Sequence, residues 1–206
     1  MFLCLYAGAV DARRINQPDP AVQTITDAKA LAAMANPVRS RILDVLAVDG
    51  PSTASALAKR TDQAVGSASH HLKVLSQAGL VEEAPELATD RRERWWRLVK
   101  VGQRWSRSEF VHDAGALTAA MAAETLVLQR QFERSRDWLA GSDTDNEWDV
   151  AAFATQTWLR LSPAELSEFS AEMIELTRRW QRRDVPDDGA ERTDVFVFAR
   201  GFPAQP

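Results

Sequence analysis

Gln63 to Leu80 reads QAVGSASHHLKVLSQAGL, and its apolar residues gather on one side of a helix. At about 100° per residue, with Leu72 at the centre of the inward side, Val65, Ala68 and Leu75 fall within roughly 60° of it. Gln63, Ser67, His70, Val74 and Gln77 take the outward side, and Gly66 and Lys73 its flank. Ser69 and His71 lie at opposite edges of the apolar stripe. The spacing predicts a helix from about Ala64 to Ala78, with Gly79 as the natural stop. Its outward face is small, polar and hydrogen-bonding, and not heavily charged.

Upstream, Thr61-Asp62 reads as a turn, and Ser52 or Thr53 caps a short helix with Ala54, Leu57 and Ala58 inward. Before Gly50-Pro51, Asn36 caps a helix with Pro37 at its first position and Val38, Ile42, Val45 and Leu46 on one stripe. Asp27 caps another helix over roughly 28–35. Downstream come two strand-like runs, Leu80-Val81-Glu82-Glu83 and Arg94 to Val99. The polar stretch Leu87 to Arg92 between them suits a hairpin tip. Helices followed by a β-hairpin give the order of a winged helix.

A short polar helix face suits the major groove of a duplex, where side chains must reach base edges. Gly66 and the serines let the backbone come close. Gln63 can pair with adenine, Lys73 with a phosphate or guanine, and His70 points the same way. At the presumed wing tip, Asp90-Arg91-Arg92-Glu93-Arg94 is either a solvated charged hairpin or a clamp on phosphates and minor groove. Its place one hairpin after the helix favours the clamp, through Arg91, Arg92 and Arg94.

Residues 27–100 resemble the winged-helix regulators of the ArsR type. The resemblance rests on Asn36-Pro37-Val38-Arg39-Ser40-Arg41-Ile42-Leu43, on Ser67-Ala68-Ser69-His70-His71-Leu72, and on Leu75-Ser76-Gln77-Ala78-Gly79-Leu80-Val81, in that order. It implies a dimeric repressor or activator that reads an inverted repeat in double-stranded DNA. It also implies that Ser67, Ser69 and His71 occupy polar positions of the recognition helix. For His71, near the core edge, a structural hydrogen bond is the equal alternative. The chain departs from metal-sensing members: Ser55 to Arg60 holds no thiol and His112-Asp113 stands alone, so no metal or other cofactor is expected.

Beyond Gly102 the pattern predicts a long helix to about Ala140. Phe110, Leu117, Met121, Leu128, Phe132 and Leu139 recur in alternating steps of seven and four, a seam for a homodimer interrupted by Glu124 and Ser135. The interface set is Phe110, Leu117, Met121, Leu128 and Phe132, with residues 105–141 as the dimerisation helix. Residues 142–206 read as strand, helix, strand: Phe153 to Leu161, a helix opened by Ser162-Pro163-Ala164-Glu165, and Val195 to Ala199. The fold class is mainly α with small β: a winged helix-turn-helix over 27–104, the long helix, then this extension.

Residues 1–26 read as an extended N-terminal leader, with disorder one reading. Met1 to Val10 is apolar, but too short to span a bilayer and poor as a secretory signal. One cysteine, Cys4, excludes an intrachain disulfide and suits a reducing, cytoplasmic setting. From Asp27 to Arg104 there are 12 Lys/Arg against 9 Asp/Glu; from Trp105 onward, 11 against 18. Such asymmetry concentrates affinity for DNA in one region.

Seven tryptophans supply either core and interface area or an aromatic cavity for a small apolar effector. No phosphate loop, nucleophile elbow or metalloprotease motif points to an enzyme. The expected function is a DNA-binding repressor acting as a homodimer. The alternative is a protein-interaction module working through the acidic C-terminal region.

Overall fold

The computed structural model describes residues 3–6, 22–90, 93–141 and 147–205. They fall into two compact units, whose boundary lies after Phe132.

In the first unit, four helices follow the predicted signals closely. Helix α1 (Ala28–Met34) starts where the Asp27 side chain accepts from Lys29 N at 2.8 Å. Helix α2 (Pro37–Val48) is capped by Asn36, which accepts from Arg39 N at 3.1 Å, with proline at N1 as its missing N–H allows. Helix α3 (Ala54–Thr61) begins at Thr53, whose Oγ1 accepts from Ala56 N at 3.3 Å. Helix α4 (Val65–Gln77) ends before Gly79, whose φ of +67° is the left-handed conformation expected of a glycine past a helix end.

The apolar stripes meet as their periodicity requires. Leu31, Ile42, Leu43, Leu57, Leu72, Leu75 and Leu80 are all essentially shielded from water. Two positions on α4 depart from the wheel. Val65, expected inward, is half exposed at the first position of the helix. Val74, expected outward, packs partly against the core.

Two three-stranded sheets complete the unit. Strands β3 (Ser52–Thr53), β4 (Val81–Glu83) and β5 (Trp95–Leu98) form an antiparallel sheet in the order β3–β5–β4, with Val81 opposite Leu98 and Glu83 opposite Trp96. This is the expected wing. The other sheet was not anticipated. Strands β1 (Leu3–Tyr6) and β2 (Val22–Thr24) flank β6 (Gly102–Trp105) on either side, both parallel to it. The leader thus contains two strands, and residues 102–105 are a strand rather than helix. Trp105 and Gln103 are buried there, which a solvated helix start would not provide.

The long helix, α5 (Ala114–Gly141), accordingly begins after a 3-10 turn at Arg107–Phe110. Asp113 starts it: its carboxylate accepts from Ala116 N at 3.0 Å and its carbonyl from Leu117 N at 2.9 Å. The helix turns Ala116, Ala120 and Ala123 to the core. Arg130 fixes its course by donating to Ser40 Oγ and Asp44 Oδ2 on α2.

The second unit contains α6 (Glu147–Ala151) and α7 (Pro163–Arg182). The predicted capping box is present: Glu165 N donates to Ser162 Oγ at 3.3 Å, and Ser162 N to Glu165 Oε2 at 2.7 Å. The strands predicted at 153–161 and 195–199 do not form. No described residue in either run joins a ladder, and no residue from 147 to 205 is buried. Alternating apolar residues make a strand only when another segment supplies both hydrogen bonds and cover.

Candidate nucleic-acid interface

The turn between α3 and α4 sets the angle at which α4 is presented. Asp62 adopts φ 55° and ψ 52°, a left-handed conformation that aspartate tolerates better than most residues. Gln63 N donates to Ala58 O at 2.9 Å, and Thr61 Oγ1 to Leu57 O at 2.7 Å, closing the turn. Helix α4 then packs on α2 and α3 through Ala68, Leu72 and Leu75.

Of the predicted polar set, His70 on the outward side, Lys73 on its flank and Ser69 at the edge of the apolar stripe are exposed. Gln63 and Ser67 are half-buried and joined, Ser67 Oγ donating to Gln63 Oε1 at 3.4 Å. Gln63 Nε2 donates to Asp62 O at 2.8 Å, which fixes the amide orientation. One amide hydrogen and one lone pair remain for a further partner.

His71 differs from its neighbours. It is half-buried, and its Nδ1 is shielded with no hydrogen-bond partner. Desolvation holds its pKa below the ordinary value, with the charge of Arg39 and then of His70 acting in the same direction. The His70 and His71 rings meet edge to face at 5.7 Å. Neutral and turned toward the protein, His71 belongs to the support of the face rather than to its outward edge.

Arg39 was not singled out from sequence. Its Nε donates to Ala33 O at 2.7 Å and its guanidinium also to Ala32 O at 3.1 Å, closing the C-terminal turn of α1. The available signal was a cation just after a short helix, where it answers unsatisfied carbonyls. The same guanidinium charge disfavours protonation of His71.

On the wing, Arg94 is exposed and lies 3.7 Å from Glu83. Arg97 bonds Glu82 Oε1 at 2.7 Å and also Glu86. Arg91 and Arg92 lie outside the described residues. The wing therefore carries acidic partners for its described arginines, a feature visible in the sequence only once the strand register is known.

Of the predicted interface set, Phe110 is buried in the unit's own core and Leu117 packs partly against it. Met121, Leu128 and Phe132 remain exposed, at 51%, 38% and 65%. Phe110 sits in the 3-10 turn and so drops off the helical seam. The tryptophans divide: Trp96 and Trp105 are core, whereas Trp138, Trp158 and Trp180 face solvent. Trp180, with Arg179 and Arg183, borders a shallow open hollow of about 300 Å³. Among the described residues no three histidine, cysteine or carboxylate side chains converge as a metal-binding group. No helix among them is long and apolar enough to cross a membrane.

Residues 34–84 match the family model described as a helix-turn-helix domain. That span runs from the end of α1 through β4, within the region of the ArsR-type resemblance. No curated protein matches the sequence. Among solved structures, the chain is similar to the homodimeric winged helix-turn-helix DNA-binding domain of Mb0332 from Mycobacterium bovis, a possible ArsR-family regulator. Identity is 21%, coverage 57% of this chain and 87% of that one, and the TM-score 0.33. It is also similar to a double mutant of Lactococcus lactis ZitR in apo form (19% identity, 69% and 83% covered, TM-score 0.33). A third is NMB1585, a MarR family regulator from Neisseria meningitidis (19% identity, 70% and 80% covered, TM-score 0.34). With the β4–β5 hairpin behind its helix-turn-helix, the chain carries a winged helix-turn-helix domain, the fold class of many DNA-binding transcription regulators.

Proposed function

We propose that the protein is a sequence-specific transcriptional repressor that binds an inverted-repeat operator as a homodimer. The observation that supports this most is the outward face of α4. His70 stands in solvent opposite the fully buried Ala68, Leu72 and Leu75, with exposed Lys73 on its flank and exposed Ser69 at the edge of the buried stripe. Gln63 and Ser67 are pre-oriented at the end of the helix that enters a groove first. Contacts by Ser69, His70 and Gln63 would select bases, and Lys73 and Arg94 would hold phosphates. The exposed Met121, Leu128 and Phe132 on α5 supply the dimer face, which would set two copies of α4 about one DNA turn apart. Signalling would not use a thiolate metal site.

Anisotropy titrations of the protein against its own upstream region and against random duplex, at several salt concentrations, test the reading. Preference for one palindromic site and a steep salt slope are expected. Lys73→Ala should lower that slope by about one and weaken all sequences alike, whereas Ser69→Ala should relax choice at particular base pairs. Equal affinity for every duplex at moderate salt would overturn the proposal.

A further inference from the structure

Among its described residues the second unit lacks what the first has, a set of fully buried side chains. No residue from 147 to 205 is buried. Yet Val195-Phe196-Val197-Phe198-Ala199, between Asp194 and Arg200, is apolar throughout. Phe196 and Phe198 share a side, with ring centroids 5.8 Å apart, and Arg134 lies over the Phe196 ring at 4.7 Å. The run sits against α7 at one end, where a Cβ at Gly201 would stand 3.0 Å from Leu166 Cδ1. Among the described residues no backbone–backbone hydrogen bond joins Val195–Ala199 to another segment. Apolar side chains on both faces and unbonded backbone together describe a strand that awaits a neighbour.

The order of residues says which neighbour. Turned antiparallel to a copy of itself about Val197, the run sets Asp194 opposite Arg200 at both ends. Val195 then faces Ala199, Phe196 faces Phe198, and Val197 faces its own counterpart. Opposite charges and aromatic pairs directly across a ladder are the favourable combinations, and like charges the unfavourable one. Pro203, which cannot donate to a ladder, lies just past the paired stretch. Such self-matching is what a two-fold interface demands.

The run itself has apolar surface to cover: Val195, Phe196, Val197 and Phe198 are 53%, 47%, 42% and 45% exposed, and Phe202 beyond it 70%. Removing such surface from water is the main driving term of association.

We infer that residues 194–200 form an antiparallel two-stranded ribbon with the same residues of a second copy, giving the C-terminal unit its core across a two-fold axis at Val197. This is a surface distinct from the α5 face, and it rests on the homodimer reading only in requiring two copies.

Oxidative cross-linking of the full chain in a Cys4→Ser background tests it. Directly opposed positions bring Cβ atoms within disulfide range, so Val197→Cys should give a covalent dimer. Val195→Cys, with its two copies about 13 Å apart in this register, should not. Sedimentation equilibrium supplies the second test. Asp194→Arg alone and Arg200→Asp alone should each raise the dimer dissociation constant about tenfold or more. The double swap should restore it, and mixing the two single variants should give heterodimers. Along one extended strand positions 194 and 200 lie roughly 20 Å apart, so rescue within one chain is ruled out. A protein that sediments as a dimer but forms no Val197→Cys cross-link and ignores the charge swap would overturn this inference while leaving the α5 dimer standing. A dimer and a Val197→Cys cross-link that both survive Leu128→Asp would do the reverse. Cross-linking at both cysteine positions, or docking of the run on its own chain in a monomer, would also overturn it.

Discussion

Helices α4 and α7 are both amphipathic and both end cleanly, yet they hold opposite places in the energetics of the chain. Helix α4 lacks a side-chain cap at Ala64 and buries Ala68, Leu72 and Leu75 completely. Helix α7 has a complete capping box, a proline at its first position and basic residues in its last turn, yet buries nothing. Tertiary contact holds the first in place; local signals hold the second. A periodic apolar stripe states what a face requires, without stating which segment, or which molecule, meets the requirement.

The sharpest way to break this contrast is a pair of truncations. Leu72→Ala should cost about 2–5 kcal/mol, as removal of a fully packed leucine does, whereas Leu176→Ala on α7, 40% exposed, should cost under about 1 kcal/mol in dilute protein. Urea midpoints of the two variants decide the matter, and equal losses would erase the distinction. Next in size is Arg130→Ala. It removes charge-assisted hydrogen bonds to Ser40 and Asp44 in a mostly shielded setting, and a loss of about 1.5–3 kcal/mol in the same assay is expected.

Caps refine the comparison. Asn36→Ala should cost about 1 kcal/mol of global stability, because α2 is part of the cooperative core. Ser162→Ala should instead lower helicity by circular dichroism with little change in the main unfolding midpoint.

The smallest effect concerns His71. Its folded-state pKa lies below the ordinary value, so its contribution to stability is present above that value and is lost as pH falls through the depressed one. Wild-type stability should decline modestly between about pH 7 and pH 5, and His71→Gln should flatten that decline. Parallel pH profiles for the two proteins would show that His71 titrates as it does in the unfolded chain.

The winged helix was readable because everything that specifies it is local. Asp27, Asn36, Thr53 and Gly79 mark helix ends, and the stripes between them have one period. The polar face of α4 followed from the same wheel only in part: His70 and Gln77 are exposed as the wheel has them, Gln63, Ser67 and Val74 are half-buried, and Ser69, at the stripe's edge, is exposed. The parallel sheet did not, because Val22 pairs with Gly102 across most of the first unit and three-residue strands leave almost no periodic signal. Phe110 was misplaced onto the dimer seam because a heptad count cannot register a strand and a 3-10 turn inserted ahead of a helix. Arg94 and Glu83 could be matched only with the hairpin register in hand. The runs at 153–161 and 195–199 were recognised as strand material, but a ladder has two sides and a single chain's pattern describes one.

Arg130 lies between Leu128 and Phe132, which remain in water, while its guanidinium is anchored on Ser40 and Asp44 of α2, against which α4 is stacked. One side chain thus moors the stretch of the long helix that carries two water-facing apolar residues to the helix on which α4 rests. Cutting that mooring frees the stretch to shift without unfolding the domain, which is why Arg130→Ala sits below Leu72→Ala in expected cost.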